Sequence, residues 1–394
     1  MLSAAIEGVV ERFGLEGEQI DEVMGGAVIS HSKDFNLARE AVLSTSLSPL
    51  TPGITIQQAC GTSLQAALSL GAKIATGQIE CAIASGSDTT SDAPIVFSQK
   101  FASRLVRAGT ARSAGQRLAA FKGFSFGELK PQTPANAEPR TGLSMGQHCE
   151  RMARQWNIGR EAQDRLAMES HHKAARAWDD GFYDDLVQTW HGLARDNNLR
   201  PDTSMEKLGS LKTAFSRQAD ATLTAGNSTP LTDGAAAVLL ASEDWARKRG
   251  LPVQAWLTAG RSAAVDFVGD EGLLMAPTIA VSELLQQVGL ALQDFDFYEI
   301  HEAFAAQVLC TLKAWASEDY CRNRLGRSEP MGEIDRAKMN VKGSSIAVGH
   351  PFAATGARIV GTLGQILEKA GSGRGLISVC TAGGMGVAAI MERE

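Results

Sequence analysis

Four side chains in this chain carry chemistry that becomes more useful in combination: Cys60, His301, His350 and Cys380. Cys60 follows the β-prone run ITIQQ (54–58) and precedes the small-residue helical run LQAALSLGAKIATG, so its sulfur stands where a helix begins. The free N–H groups and dipole of a helix start favour a thiolate, which predicts a nucleophile with a lowered pKa. A buried, inert cysteine is the plainer alternative. Gly61 permits close backbone approach to whatever the sulfur attacks. His350 occupies a similar turn, with Pro351 suited to a first helical position and the small run AATG leaving room around the imidazole. If the two turns converge, the imidazole is placed to take the thiol proton. Cys380 opens CTAGGMG, a turn whose glycines free N–H groups for an oxyanion. His301 and Glu302 open the helical run HEAFAAQVLCTLKAWA (301–316) directly after the strand-like DFYEI. Each feature alone is weak. Their common position at strand-to-loop junctions, where open α/β sheets place ligands, is what raises them.

The elements around them repeat. Strand, reactive residue, small-residue helix and strand run from ITIQQ through Cys60 to ECAIASGSD (80–88), and again from VKGSSIAVG through His350 to GLISVC (375–380). Each set is followed by a similar closing strand, DGAAAVLLASE (233–243) in the first case and MGVAAIMERE (385–394) in the second. The first unit is far longer, and its excess falls between Asp92 and Asp220, where the polar helical stretch EAQDRLAMESHHKAARAWDDG (161–181) and the loop LKPQTPANAEPRTG (129–142) lie. Apolar strands alternating with helices predict mainly parallel sheets covered on both faces. The organisation expected is an N-terminal half, residues 1–91 completed by 221–244, an inserted loop domain at 92–220, and a C-terminal half at 245–394.

Composition narrows the function classes. The net charge is −6 and charged residues make up 21% of 394 residues, so the chain as a whole is no nucleic-acid binder by electrostatics. The six cysteines lack CxxC or Cys/His ligand spacing, which argues against a zinc site or a disulfide framework and for a reducing compartment, cytoplasmic or mitochondrial matrix. No apolar run approaches the length of a membrane span, and the opening MLSAAIEGVVERFG reads as an amphipathic helix, not a signal peptide. From Ala93 to Gly127 there is no acidic residue, while Lys100, Arg104, Arg107, Arg112, Arg117 and Lys122 form a basic stretch. That stretch is suited to the phosphates of a ligand, a partner subunit or an anionic membrane surface, with a solvated helix face as the plain alternative.

The blocks QQACGTSLQA, SMGQHCE, NSTPLTDGAA, HEAFAA, GHPFAATGAR and CTAGGMG, in this order over nearly the whole chain, resemble the thiolases. HEAF and the basic stretch look closest to the β-subunit of the fatty-acid β-oxidation trifunctional complex. The resemblance implies a duplicated five-layer αβαβα core with an inserted loop domain. It implies Cys60 as acyl-carrying nucleophile, His350 as its base, Cys380 as the second acid/base, and His301 in place of the Asn that positions a water. It implies backbone N–H groups of Cys60 and Ala382 as an oxyanion hole, and Met145, Thr229 and Phe304 along the pantetheine and acyl channel. Coenzyme A would be a co-substrate, with no permanent cofactor and no metal. A homodimer or tetramer, and a hydratase/dehydrogenase α-subunit, would be the partners. The reaction implied is cleavage of 3-ketoacyl-CoA, or the reverse condensation, by ping-pong acyl transfer. Two other readings compete: a decarboxylating β-ketoacyl synthase-like enzyme using Cys60, His301 and His350, and a silent scaffold of a β-oxidation complex. Relatives carry a strand of AVRTP type before the helix that opens this chain, so a central strand of the first sheet is expected to be missing.

Overall fold

The computed structural model describes all 394 residues. Two four-stranded sheets form its frame. The first has the order β2-β1-β3-β4, with β1 (Glu22–Gly25), β2 (Gly53–Thr55), β3 (Cys81–Asp88) and β4 (Gly234–Ala241). The second has the order β5-β8-β7-β6, with β5 (Trp256–Ala264), β6 (Phe297–Ile300), β7 (Gly373–Thr381) and β8 (Met385–Arg393). In each, two parallel neighbours (β1 and β3; β6 and β7) are closed by an antiparallel strand, β4 or β8. β2 pairs with β1 in the first sheet, and a single parallel bridge from Tyr298 to Met339 occupies the matching place beside β6.

Two expectations change here. The sheets are not mainly parallel, because β3–β4, β7–β8 and β5–β8 are antiparallel and equal the parallel pairings in number. The first sheet also has no break at its centre: β3 is hydrogen-bonded on both sides, and β4 lies at the edge. What the first sheet lacks relative to the second is an outer neighbour of β4 equivalent to β5 beside β8. β4 is half-exposed along its length, so its outer polar groups reach water.

Between the sheets lie the helices Thr62–Ala75 and Thr355–Ala370. They carry Leu64 and Leu70, and Ile359, Leu363 and Leu367, all fully buried. Burying side chains of this kind stabilises by about 1.5–3 kcal/mol each, which makes this central layer a firm platform. The helix Leu2–Phe13 covers the outer face of the first sheet through Ile6 and Val10, and Ala276–Val288 covers the second through Leu284 and Leu285. Helix, sheet, helix pair, sheet, helix gives five layers.

The two central helices meet at their starts. A Cβ on Gly356 would lie 2.3 Å from the Leu64 nitrogen, so only glycine allows the crossing as it stands. The Ala357 N–H donates to Ser63 Oγ at 2.8 Å and fixes the helices in register. Buried Asp88, at the end of β3, accepts from the N–H groups of Val28 (3.0 Å), Ile29 (2.7 Å) and Ala353 (2.9 Å). One carboxylate thus ties a loop of the first half to the turn after His350. The long connection between β3 and β4 contributes the helices Met145–Gln155 and Arg160–Asp179, and Leu166 and Ala167 of the latter share a core with β6, β7 and β8.

Candidate active site

The crossing of the central helices sets the distance between the two reactive turns. Cys60 lies just ahead of the Thr62 helix, after Ala59 in a left-handed conformation (φ 47°). Such a φ is uncommon for a residue with a Cβ and marks a turn held by its surroundings. A Cβ on Gly61 would come within 2.8 Å of Val387 and 3.0 Å of Thr381, so this glycine serves packing against β7 and β8 and does not face the space in front of the sulfur. His350 precedes a 3₁₀ turn, Phe352–Ala354, and the helix begins only at Thr355, so neither His350 nor Pro351 is inside a helix start. His301 likewise stands in an extended turn after β6, and its helix begins at Ala305.

His350 Nε2 and Cys60 Sγ are 3.1 Å apart, joined across the two halves of the fold. His350 Nδ1 meets Thr355 Oγ1 at 2.6 Å. With the Nδ1 proton given to Thr355, Nε2 presents its lone pair to the sulfur. Both groups are buried. Burial pushes the Cys60 thiol up to about 12, opposed by N–H groups of Ala382 and of Cys60 itself. Burial, helped by the charge of Arg358, holds His350 down to about 3. The resting pair is therefore a neutral thiol beside a neutral imidazole, contrary to the lowered thiol pKa that a helix start suggests. Desolvation outweighs the helix dipole, and the thiolate must be made by proton transfer.

The Ala382 and Cys60 N–H groups favour negative charge on this sulfur. Ala382 sits in the turn between β7 and β8, where Gly383 and Gly384 adopt φ of 75° and 70°. That turn is clamped from the β3–β4 connection, since the Gly383 N–H donates to Glu138 Oε1 at 2.9 Å. Cys380 lies within β7, fully buried, and its thiol is raised well above its ordinary value by burial and then by Cys60. Met145, Phe304 and Cys380 belong to one apolar cluster, with the Phe304 ring edge-on to Phe215 at 5.7 Å. Thr229 joins it through its N–H, which donates to Ala303 O at 3.1 Å, while its hydroxyl is taken up by Ser345 O at 2.7 Å.

The His301 ring lies 4.3 Å from that of His350, centroid to centroid. Ring nitrogens of both and Cys60 Sγ lie within 4.8 Å of one another, a donor set of the kind that suits soft divalent metals. Burial, then His350 and Arg358, keep His301 well below its ordinary pKa, so it is neutral. Sequence reasoning did not single out Thr355, Ser345, Arg358 or Glu138. Each acts through a contact that only folding creates, and only Thr355, five residues from His350, left any local signal.

The family models for the thiolase N-terminal and C-terminal domains match residues 1–244 and 252–393. The chain belongs to the thiolase family, and with it to the acyltransferases. It is 42% identical to the 3-ketoacyl-CoA thiolases of Yersinia pestis (strain Pestoides F) and Yersinia pseudotuberculosis serotype O:1b (strain IP 31758), over 99% of this chain and 90% of each relative. The crystal structure of the Bacillus anthracis acetyl-CoA acetyltransferase superimposes with a TM-score of 0.80 at 30% identity, covering 99% of this chain and 92% of that one. These matches do not favour the synthase-like or scaffold readings. No helix is long and apolar enough to cross a membrane.

Proposed function

We propose that this acyltransferase cleaves 3-ketoacyl-CoA with CoA, giving acetyl-CoA and an acyl-CoA shorter by two carbons. The observation that carries the reading is the 3.1 Å contact between Cys60 Sγ and His350 Nε2 on a thiolase frame. The Cys60 proton passes to His350 Nε2 as the sulfur adds to the ketone carbon. The adjacent carbon–carbon bond then breaks, and the departing acetyl-CoA enolate takes its proton from Cys380. The acyl group stays on Cys60 as a thioester. CoA next gives its proton to the Cys380 thiolate and attacks the acyl carbonyl, and the Cys60 sulfur leaves and regains its proton from His350. The N–H groups of Cys60 and Ala382 receive the oxyanion of one half-reaction, and His350 and His301 the other. Thioester formation needs no permanent cofactor or metal; coenzyme A enters as co-substrate.

A cleft of about 310 Å³, lined by Arg200, Lys207, Ser228, Pro230 and Ile346 among others, lies beside the segment leading to His350. Its cations suit the phosphates of CoA, and Met145, Thr229 and Phe304 would follow the pantetheine inward. Residues 92–220 would act as the loop domain that shapes this approach. The six cysteines are all free, which fits a reducing compartment such as the cytoplasm. A dimer or tetramer, with a hydratase/dehydrogenase α-subunit, completes the reading.

The test is thiolysis of a series of 3-ketoacyl-CoAs of increasing acyl length. Acetyl-CoA and the shortened acyl-CoA are expected in equal amounts. Turnover that instead depends on a malonyl thioester and releases carbon dioxide overturns the assignment.

The basic stretch supports a peripheral membrane role. The helix Gln99–Thr110 buries no residue, and Phe126 (83% exposed), Leu118 (77%) and Val106 (66%) stand in water nearby. Arg104 is occupied by Glu128 and three carbonyls, but Lys100, Arg107, Arg112, Arg117 and Lys122 have no carboxylate partner. Apolar tips among unpaired cations suit an anionic lipid surface, at about 1 kcal/mol per basic residue near it. The chain is expected to sediment with phosphatidylglycerol vesicles and not with phosphatidylcholine, and to be released by salt. Equal recovery with both, or none, contradicts this role.

A further inference from the structure

The second imidazole of the site has its own supporting wiring. His301 is wholly buried, and its Nε2 has no hydrogen-bond partner in the protein. Its Nδ1 lies 2.8 Å from Ser345 Oγ. That same oxygen accepts from Arg358 Nη2 at 2.8 Å. A guanidinium donates and never accepts, so its contact consumes a lone pair of the serine and leaves the hydroxyl proton for another acceptor. The acceptor within reach is His301 Nδ1. Were Nδ1 protonated instead, Ser345 would receive two donors and its own buried proton would have nowhere to go, at a cost in desolvation.

We propose that Arg358 and Ser345 are positioning residues that hold His301 as the neutral tautomer protonated on Nε2, so that this N–H points without a protein partner into the reaction space beside His350. The relay rests on the thiolysis reading above and adds how the donor is kept. It makes His301 a hydrogen-bond donor to the developing enolate or thioester oxygen, not a ligand with a free Nε2 lone pair. Zinc, which the Cys60, His301 and His350 trio would otherwise suit, needs that lone pair. The parts are held firmly. Glu302 accepts from Asn340 Nδ2 (2.7 Å), from Ser170 Oγ (2.7 Å) and from the Ile346 N–H (3.3 Å). It therefore binds the His301 turn to the Ser345 turn. Arg358 also faces Glu299, Asp196 and Tyr183, so removing it disturbs more than His301, and Ser345 is the cleaner site to change.

The test is long-range ¹H–¹⁵N spectroscopy of the chain labelled in histidine, with the His301 signals assigned by their loss in His301→Asn. The wild-type chain is expected to show a protonated Nε2 and an unprotonated Nδ1 in one tautomer. In Ser345→Asp the carboxylate pairs with Arg358 and accepts from Nδ1–H, so the tautomer inverts. The kcat for thiolysis is then expected to fall about 100-fold, with KM changed less than about twofold, in line with the roughly 10²–10³ lost when an oxyanion donor is removed. Ser345→Ala, which adds no bulk, should broaden the His301 signals and lower kcat roughly tenfold, a fraction of that loss. A wild-type His301 protonated on Nδ1 overturns the proposal. So does an inverted tautomer in Ser345→Asp with kcat intact, or a Ser345→Ala chain with signals and kcat both unchanged. The spectra are read without substrate, so a failure of the thiolysis reading would leave them standing and show itself separately in the substrate series.

Discussion

Cys60→Ala is expected to leave thiolysis below about one part in 10⁵ of the wild-type rate, the scale on which other covalent nucleophiles are lost. The loss should fall on kcat, because on the proposed route the alanine removes the atom that would carry the acyl group and leaves the proposed CoA cleft untouched. Folding should survive. Cys60 is a small buried side chain whose polar partner is a neutral imidazole, and the alanine leaves no unpaired charge. His350 would keep its Thr355 contact. Thiolysis kinetics together with a thermal melt check both halves of this expectation. A chain that melts like wild type and retains appreciable turnover would mean that another group carries the acyl chain.

Cys380→Ala is expected to cost about 10²–10⁴ in kcat, the usual contribution of a proton-transfer group beside a nucleophile. Its resting thiol is protonated, since burial and the neighbouring Cys60 raise it well above its ordinary pKa. That is the state required to meet a departing enolate. A carbon base needs this proton more than a sulfur leaving group does. The variant should therefore lose carbon–carbon cleavage far more than it loses transfer of an acyl group from acyl-CoA onto Cys60. Comparing thiolysis with the rate of Cys60 labelling by radioactive acyl-CoA separates the two. Equal losses in both would assign Cys380 a packing role within its apolar cluster.

Much of this site was legible because its parts keep a fixed order along the chain. A cysteine before a small-residue helix, a histidine in the matching turn of a repeated unit, and a glycine turn after a second cysteine are local patterns. The fold supplies only their meeting. The small residues of GHPFAATGAR were legible as room for the imidazole, whereas the structure adds a second use: Gly356 lets one helix start press against the backbone of the other.

What stayed hidden depends on burial and on distant partners. A helix start is visible in sequence and points to a lowered thiol pKa, whereas the desolvation that outweighs it is not; the Cys60 turn is closed over by both halves. Strand direction is hidden for a related reason. β8 is apolar and buried on both faces, as parallel strands usually are, yet it runs antiparallel because helices of the central and outer layers cover it regardless of direction. The Arg358–Ser345–His301 relay joins residues whose spacing of 13 and 44 positions suggests nothing. His301 was expected at a helix start and instead stands free of one, which lets its ring turn toward His350.

The most direct trial of the central claim is peptide mass spectrometry after brief incubation with a 3-ketoacyl-CoA and no added CoA, followed by acid quench and digestion. The account predicts the substrate's acyl group, less two carbons, on the peptide containing Cys60, and its disappearance when CoA is added. An adduct found on Cys380, or no adduct while acetyl-CoA is released, would contradict it.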